Sequence, residues 1–555
     1  MKKIVSLMLG LALTISCAGL TACGGNNSAN DGKTITVKAF KAGYGTTWLY
    51  KAKEKFEALY AAEGYKVNIL KPDNSLKGSA ALADMRNSKK TGVDVYFVQS
   101  VDIASAIDEE YGSCILDISD IYDLPAIGFD GKEEDVKISG KLGSTYDSAI
   151  KSSDTYYSFM WASSPSGLVV NTRVLGEYGL SVPKTTDELF DCFKAIYDGD
   201  EGNGGKGGSK STGVYPFAWA GNNAYGYALY SLYTNLGQIL GREEYEKFMS
   251  LQQGDAVTED DIANGATMYD NDDIYSSVGI MMREFNTTTS VAGSGNDTHD
   301  TAHYNVLTGK CAFIPDGEFF FQEAKVNYEQ YLDDIAFINV PVNSDLGVKL
   351  KLDGSGNDRE KCDEILSYVI DLVDEGKTNE QIIVAVSNEK DAEISVAQIE
   401  SIAEARLCYY ERKDHNAFIS KWTDVPEVAK LFLRMCASDD FGDLFNETAY
   451  GYAPYSRRNT ANSQYKFVND CLSLVARDGA WGVSKLDSTG LRKAAGIEVY
   501  VEYGDDIVRK LCNTDCLYST TNINQNETFK STKSKIKTKI VSDWNGKMKN
   551  AGYNV

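Results

Sequence analysis

Between residues 35 and 40 the chain reads ITVKAF, with apolar and polar side chains alternating as they do in a half-buried strand. The spacing then turns helical. Leu49, Ala52, Phe56, Leu59 and Tyr60 share one face of the segment LYKAKEKFEALYAAEGY. YKVNIL (65–70) predicts a second strand, a short helix follows around 82–85, and VDVYFVQS (93–100) predicts a third strand. Strands alternating with helices predict a parallel sheet covered on both faces. Sheets of that kind take ligands in the loops at the carboxyl ends of their strands. A second α/β region opens at 156–196, where 167–171 reads as a strand and 173–179 as a short helix. Pro183 and Thr185 then introduce another helix, with capping groups in Thr185-Thr186-Asp187-Glu188. The Gly-rich loop DGDEGNGGKGGSKSTG separates it from VYPFAWAGNNAYGYALYSLYTNLG. Farther on, Cys362, Ile365, Leu366, Val369 and Val373 line one helical face, and the stretch to Arg406 predicts two more short helices. Eight acidic residues against three basic ones between 374 and 406 exclude a DNA-reading helix-turn-helix. This segment is read as a helical hairpin inserted on the rim of a lobe.

The N-terminus changes the picture by fixing a compartment. Lys2 and Lys3, an apolar run from 4 to 20 and small residues after it make a secretory signal peptide over 1–22. Leu20-Thr21-Ala22-Cys23 resembles the bacterial lipobox, in which the thiol is acylated and cleavage leaves it as the first residue. Residues 23–33 then read as a flexible Gly/Asn/Ser tether. A chain of 555 residues implies two or three domains, and 43% hydrophobic content implies a folded one. The formal charge of -23 repels nucleic acid and anionic headgroups, so nucleic-acid binding is excluded and membrane attachment falls to the lipid. The eleven cysteines are scattered and read mostly as small buried apolar residues; Cys512 and Cys516 are the one pair spaced for a bridge.

Several landmarks then occur in one order: the first strand with GYGTTW, GLVVNTRVLGEYGLSVPKTTDEL, YPFAWAGNNAYGY, LTGKCAFIPDGEFF, IAFINVPV, and VPEVAKLFLRMCASDDFGDLFNETAYGYAPY. With the lipobox, the chain resembles an extracellular solute-binding protein of the family serving ATP-driven (ABC-type) carbohydrate importers. The resemblance implies an α/β, two-lobed periplasmic-binding-protein-like (type II) fold, with a cleft between the lobes and the helical insertion at about 360–406. It implies a first lobe formed by 34–150 and a return over 331–445. The second lobe takes 151–330 and a return over 446–555 that includes a C-terminal helical tail. It also implies a monomer that captures a carbohydrate, an oligosaccharide for preference, and delivers it to the permease subunits of an ABC importer from the outer face of the cell membrane. No bond is made or broken, and no cofactor or metal is called for.

Sugars offer apolar C–H faces and many hydroxyls, so their sites combine aromatic platforms with polar side chains. The candidate loops supply Tyr44 and Trp48 after the first strand, Asp102 after the third, and Trp161 and Ser164 before the 167–171 strand. Trp219, Asn222 and Tyr225 follow in FAWAGNNAYGY, then Glu318 and Phe319 in PDGEFF, and Tyr455 in YGYAPY. Phe319 is placed where relatives put an aromatic platform. Three patterns invite a catalytic or metal-binding reading beside these. HDTAH sets His299 and His303 at zinc-protease spacing, with Asp300 in the general-base position and Glu318 as a conceivable third ligand; it reads instead as an exposed polar helix start. YDNDDIY lacks the Gly and distal Glu of a calcium loop and reads as a surface acidic turn. A carbohydrate-active hydrolase remains the alternative from another class, and needs two carboxyl groups about 5–9 Å apart. A lipid-anchored sugar-sensor subunit is the other.

Overall fold

Two long strands organise the molecule. The computed structural model describes residues 32–41, 43–88, 92–108, 113–142, 146–199, 205–458, 463–512 and 523–555. Nine strands form one sheet: β1 (Thr34–Ala39), β2 (Lys66–Ile69), β3 (Val95–Gln99), β4 (Phe159–Asn171), β5 (Tyr215–Phe217), β6 (Cys311–Gly317), β7 (Ile335–Ile338), β8 (Cys408–Ile419) and β9 (Trp481–Val483). Their order is β2-β1-β3-β8-β4-β6-β5, with β7 also on β4 and β9 also on β8. The expected parallel pairing holds among β1, β2 and β3, and β5 with β6 and β8 with β9 are parallel too. β8 runs antiparallel to β3 and β4, and β6 and β7 run antiparallel to β4, so the whole is mixed.

β4 and β8 serve both lobes. The first half of β4 pairs with β8 from Phe159 to Ser166, and its second half pairs with β6 and β7 from Ser166 to Asn171. β8 pairs with β9 at its start and β3 at its end. All thirteen residues of β4 are buried, because both faces of the strand are covered. The first-lobe core gathers Val37, Phe56, Phe97, Trp161, Phe432 and Phe445. The second lobe has a core on each side of its sheet, and alternate residues of β4 feed them: Leu168 and Val170 one, Val169 the other.

The helical insertion packs differently from expectation. Helices Arg359–Asp374, Asn379–Lys390 and Val396–Leu407 bury Cys362, Ile365, Val369, Ile382 and Ile402 in the larger core of the second lobe. Polar contacts tie them to the helix Thr186–Asp198: Thr185 Oγ1 donates to Asp363 (2.8 Å), and Arg359 Nε to Asp187 (2.7 Å). β7 also pairs within the second lobe. The chain therefore re-enters the first lobe only through β8, not at residue 331. Tyr455 still belongs to the first-lobe core, whereas Phe467 and the residues after it pack in the second. The C-terminal helix Glu527–Asn550 buries Phe529, Ile536, Ile540 and Trp544 there, and Trp544 donates its indole N–H to the Ile262 carbonyl (2.7 Å). Thr185 caps its helix as read, accepting from the Glu188 N–H at 3.3 Å. All eight cysteines among the described residues are free and buried; Cys512 is one of them, and Cys516 lies outside the described residues.

Candidate functional site

The site grows from an irregularity in β8. Its pairing with β4 shifts register between Arg412 and His415, a bulge of the kind that re-aims side chains. On one face stand Tyr410, Arg412 and Asp414. Arg412 Nη2 donates to Asp414 Oδ2 at 2.6 Å, and the guanidinium lies 5.1 Å from the centre of the Phe319 ring. These two side chains keep 19% and 21% of their surface open to solvent, although the backbone around them is deep in the fold. Burial works to raise the Asp414 carboxyl, but Arg412 and His415 hold it well below the usual carboxylate range. The helix Ala224–Leu240 brings Tyr227 and Tyr230 to the same place, with Tyr230 4.9 Å from Tyr410, ring to ring. At the end of β3, Ser100 adopts a left-handed conformation (φ 50°) and donates its N–H to the Asp414 carbonyl. The carboxyl end of β3 thus abuts the bulge, as expected for an α/β ligand site.

The other face of β8 is closed. Glu411 accepts from the Tyr146 hydroxyl and from Ser163 Oγ (3.0 Å), and Lys413 reaches Asp487 at 3.0 Å; all of these groups are buried except Asp487, which is partly open. Nearby, the Tyr44 hydroxyl donates to Glu318 Oε1 at 2.7 Å, and the Tyr452 N–H donates to both carboxylate oxygens at 3.1 Å. Burial pushes the Glu318 carboxyl up to about 8, with Glu411 adding to the rise and the Tyr44 and Tyr452 hydrogen bonds opposing it.

The expected platforms fall into three groups. Tyr44, Trp48 and Trp161 are packed against one another with no open face. Trp48 stacks on Trp161 at 5.0 Å, and Tyr44 meets Trp161 edge-on at 5.7 Å. Both indole N–H groups are spent on backbone carbonyls, those of Gly45 (3.2 Å) and Val98 (3.3 Å). Trp161 and Ser164 lie inside β4 rather than before it, since the strand starts eight residues earlier than its 167–171 apolar signal. Tyr455 is likewise structural, stacked on Phe159 at 4.4 Å and bonded to the Tyr122 hydroxyl at 2.7 Å. Phe319 and Ser164 do meet the charged pair: Phe319 lies against Arg412, and Ser164 stands opposite Arg412 in the strand register. Trp219 is buried edge-on to Phe285 at 5.4 Å, with no acceptor for its indole N–H among the described residues. Asp102 and Asn222 are exposed: Asp102 caps the short helix Ile103–Ile107, and Asn222 sits in a tight turn. Tyr225 falls in the first turn of its helix, its side chain outside the described residues, as is Cys23.

Arg412, Asp414, Tyr227, Tyr230 and Tyr410 escaped the sequence reading. For Arg412 and Asp414 the signal was the run ERKDH (411–415) inside an otherwise apolar stretch, since five ionisable residues in a row rarely enter a buried strand. The histidine pair separates. His299 is half-buried, whereas His303 is fully buried with Nε2 2.6 Å from Asp316 Oδ2. Glu318 turns to Tyr44 instead, and among the described residues no three His, Cys, Asp or Glu side chains converge as a metal cage. The YDNDDIY carboxylates form ion pairs, Asp272 with Lys533 (2.7 Å) and Asp273 with Lys349 (2.9 Å). Two surface hollows of about 450 and 380 Å³ lie elsewhere, one against the C-terminal helix and one beside Arg492. Neither carries a candidate residue, so the strand crossing is the better site. No helix among the described residues is long and apolar enough to cross a membrane.

No curated protein matches the chain by sequence. Among solved structures, one from work on xylan utilization by the thermophilic bacterium Caldanaerobius polysaccharolyticus superposes with a TM-score of 0.54 at 15% identity, covering 91% of this chain and 100% of that one. Maltose-bound MalE3 of T. maritima gives 0.52 at 14% identity, covering 91% and 98%. The apo form of RafE from Streptococcus pneumoniae gives 0.52 at 13%, covering 93% and 98%. At such identities these likenesses speak for the fold. Residues 41–350, more than half of the chain, match the family described as bacterial extracellular solute-binding protein. With a two-lobed α/β fold and a partly open charged pair where its lobes meet, the chain belongs to the bacterial extracellular solute-binding protein family.

Proposed function

We propose that this protein captures a carbohydrate, an oligosaccharide for preference, where β4 and β8 cross, and delivers it to the permease of an ABC-type importer. The observation that carries the reading is the Arg412–Asp414 pair, partly open and set against Phe319, Tyr227 and Tyr230. A planar guanidinium and a carboxylate held ionised give fixed donors and acceptors for sugar hydroxyls, and the rings give apolar surface for C–H faces. Asp102 and Asn222 are exposed on loops and free to offer further polar groups to a ligand. The names of two structures with similar folds, maltose-bound MalE3 and a chitin oligosaccharide binding protein, support a sugar as the ligand class. A ligand seated between the lobes favours the closed form through the contacts it makes only there. A lipid on Cys23 and the tether behind it hold the protein near its permease at the outer face of the membrane.

The test is a thermal-shift screen with maltose, raffinose, chito-oligosaccharides and xylo-oligosaccharides, followed by calorimetry on any hit. A ligand that binds only the folded state raises the melting temperature. Stabilisation by one of these sugars, without cleavage products after prolonged incubation, is the expected result. A peptide or polyamine that stabilises where every sugar fails overturns the ligand class, and hydrolysis at enzymatic rates overturns the binding role.

A further inference from the structure

The turn that follows β6 belongs to both lobes. Glu318 stands at the end of this second-lobe strand, and its N–H donates to the Pro165 carbonyl of β4 at 3.2 Å. Its carboxyl accepts at 2.7 Å from the hydroxyl of Tyr44, a residue of the first-lobe core. Phe319, next in the chain, puts its ring into that same first-lobe core with 6% exposure, whereas Phe320 and Phe321 return to a core of the second lobe. Two glycines clear the space that the Phe319 side chain fills. A Cβ on Gly43, in the first lobe, would lie 3.3 Å from the Phe319 Cβ, and the φ of 80° there is one that glycine adopts without strain. A Cβ on Gly317, in the second lobe, would lie 2.5 Å from the Phe319 ring. Lys325, on the helix Phe320–Tyr328, makes a second stitch. It donates to the hydroxyl of Tyr450 at 2.6 Å and lies 4.5 Å from the ring centres of both Tyr450 and Tyr465. Tyr450 ends the helix Asp439–Ala449, whose Phe441 and Phe445 are buried in the first-lobe core.

We propose that Tyr44, Glu318 and Phe319 form a latch across the cleft, which holds the two lobes together and must release before they swing apart. Every contact in it is made by the chain with itself, so it acts whether or not a ligand is present. Swinging the lobes apart breaks the Tyr44–Glu318 hydrogen bond and draws the Phe319 ring out of the first-lobe core into water. Both changes oppose opening. Phe319 also lies against Arg412, 5.1 Å from ring centre to guanidinium, so release of the ring and access to the charged pair are one event. A ligand gains only from contacts that differ between the open and closed forms, and the latch contacts are already made in the closed one. Tyr44 and Glu318 therefore act as positioning residues, setting how fast and how tightly a ligand is held without touching it. The inference rests on the cleft lying where β4 and β8 cross, and not on the ligand being a sugar.

The experiment is small-angle X-ray scattering at neutral pH, without added ligand, on the mature chain carrying Cys23→Ala to keep it out of the membrane. Tyr44→Phe removes the hydroxyl alone and should shift the ratio of open to closed forms by about tenfold. Adding Phe319→Ala takes away the ring as well and should enlarge the radius of gyration while the circular dichroism spectrum stays native. Glu318→Gln keeps an acceptor for Tyr44 and should stay as compact as the parent. A double variant with the parent's radius overturns the latch, and so does a parent already as extended as the double variant. Opening by Glu318→Gln as large as that by Tyr44→Phe overturns it too, since any change at this point would then loosen the lobes. Hydrogen exchange on the parent gives a check that needs no variant. The Tyr452 N–H, which donates to Glu318, should exchange as slowly as the amides of β4, and fast exchange there overturns the latch. None of these readings uses a ligand, so a failure here is separate from a failure of sugar binding.

Discussion

Replacing Glu318 by Gln should make the protein more stable in alkaline buffer and leave its stability near pH 5 almost unchanged. Glu318 is 1% exposed and its carboxyl is pushed from 4.5 up to about 8. Between these values the unfolded chain has lost the proton and the folded one keeps it. Folding therefore takes up a proton there, and the stabilising contribution present below pH 4.5 is lost as the pH rises through 8. Each pKa unit is about 1.4 kcal/mol, so the loss amounts to roughly 3–5 kcal/mol. Glutamine cannot ionise and keeps an oxygen for the Tyr44 hydroxyl and the Tyr452 N–H. Its new amide group needs an acceptor, which sets a small fixed cost at every pH. The measurement is urea denaturation at pH 5.5, 7 and 9, followed by tryptophan fluorescence, to which Trp48 and Trp161 contribute from beside Tyr44. The other raised carboxyls, among them Glu284 and Asp363, both pushed up to about 7, are common to the two proteins and cancel in the comparison. The gain of the variant over wild type should grow by about 2–4 kcal/mol from pH 5.5 to pH 9. A pH-independent difference would refute the reasoning, because it would mean that Glu318 ionises alike in both states.

Arg412→Ala should weaken binding of whichever sugar the thermal screen identifies by at least tenfold, about 1.4 kcal/mol, read by calorimetry; unchanged affinity removes the pair from the site. Lys413→Met strands Asp487 and Glu411 in the interior and should cost about 3 kcal/mol in denaturation, whereas adding Asp487→Asn to it should restore part of that loss. Trp161→Ala opens a cavity under Trp48 and Tyr44 and should cost about 3–5 kcal/mol by the same measurement. Cys23→Ala should release the protein into the medium of the producing cells, as followed by fractionation and immunoblot, with ligand affinity in solution intact.

The strands with one open face were legible in the sequence. β1 alternates buried and half-buried residues, and its period of two is visible in ITVKAF. Thr185 announced its helix because a cap is a local device, settled by residues three apart. β4 was legible only in its second half. Covered on both faces, it has no alternation, and Ser163, Ser164, Pro165 and Ser166 in its middle look like a loop. That error carried Trp161 and Ser164 out of the strand and made a buried ring look like a platform. For Tyr44, Trp48 and Trp161 the residue types suit a core and a sugar site equally well, and only their mutual packing tells which they serve. The cleft pair was missed because Arg412 and Asp414 face the same side only once β8 is known to be a strand. The insertion was recognised as helical from its apolar stripe, but a stripe does not name the surface it covers.

One mechanical consequence follows from β4 and β8. These strands are hydrogen-bonded to each other and continuous through both lobes, so the lobes are joined by a ribbon and not by loose threads. Rotating one lobe against the other flexes that ribbon as a leaf spring is flexed, with a restoring torque at every angle. The spring is softest where its ladder is interrupted, between Arg412 and His415. Arg412 and Asp414 ride on that soft point, so whatever grips their side chains also sets how far the spring is bent.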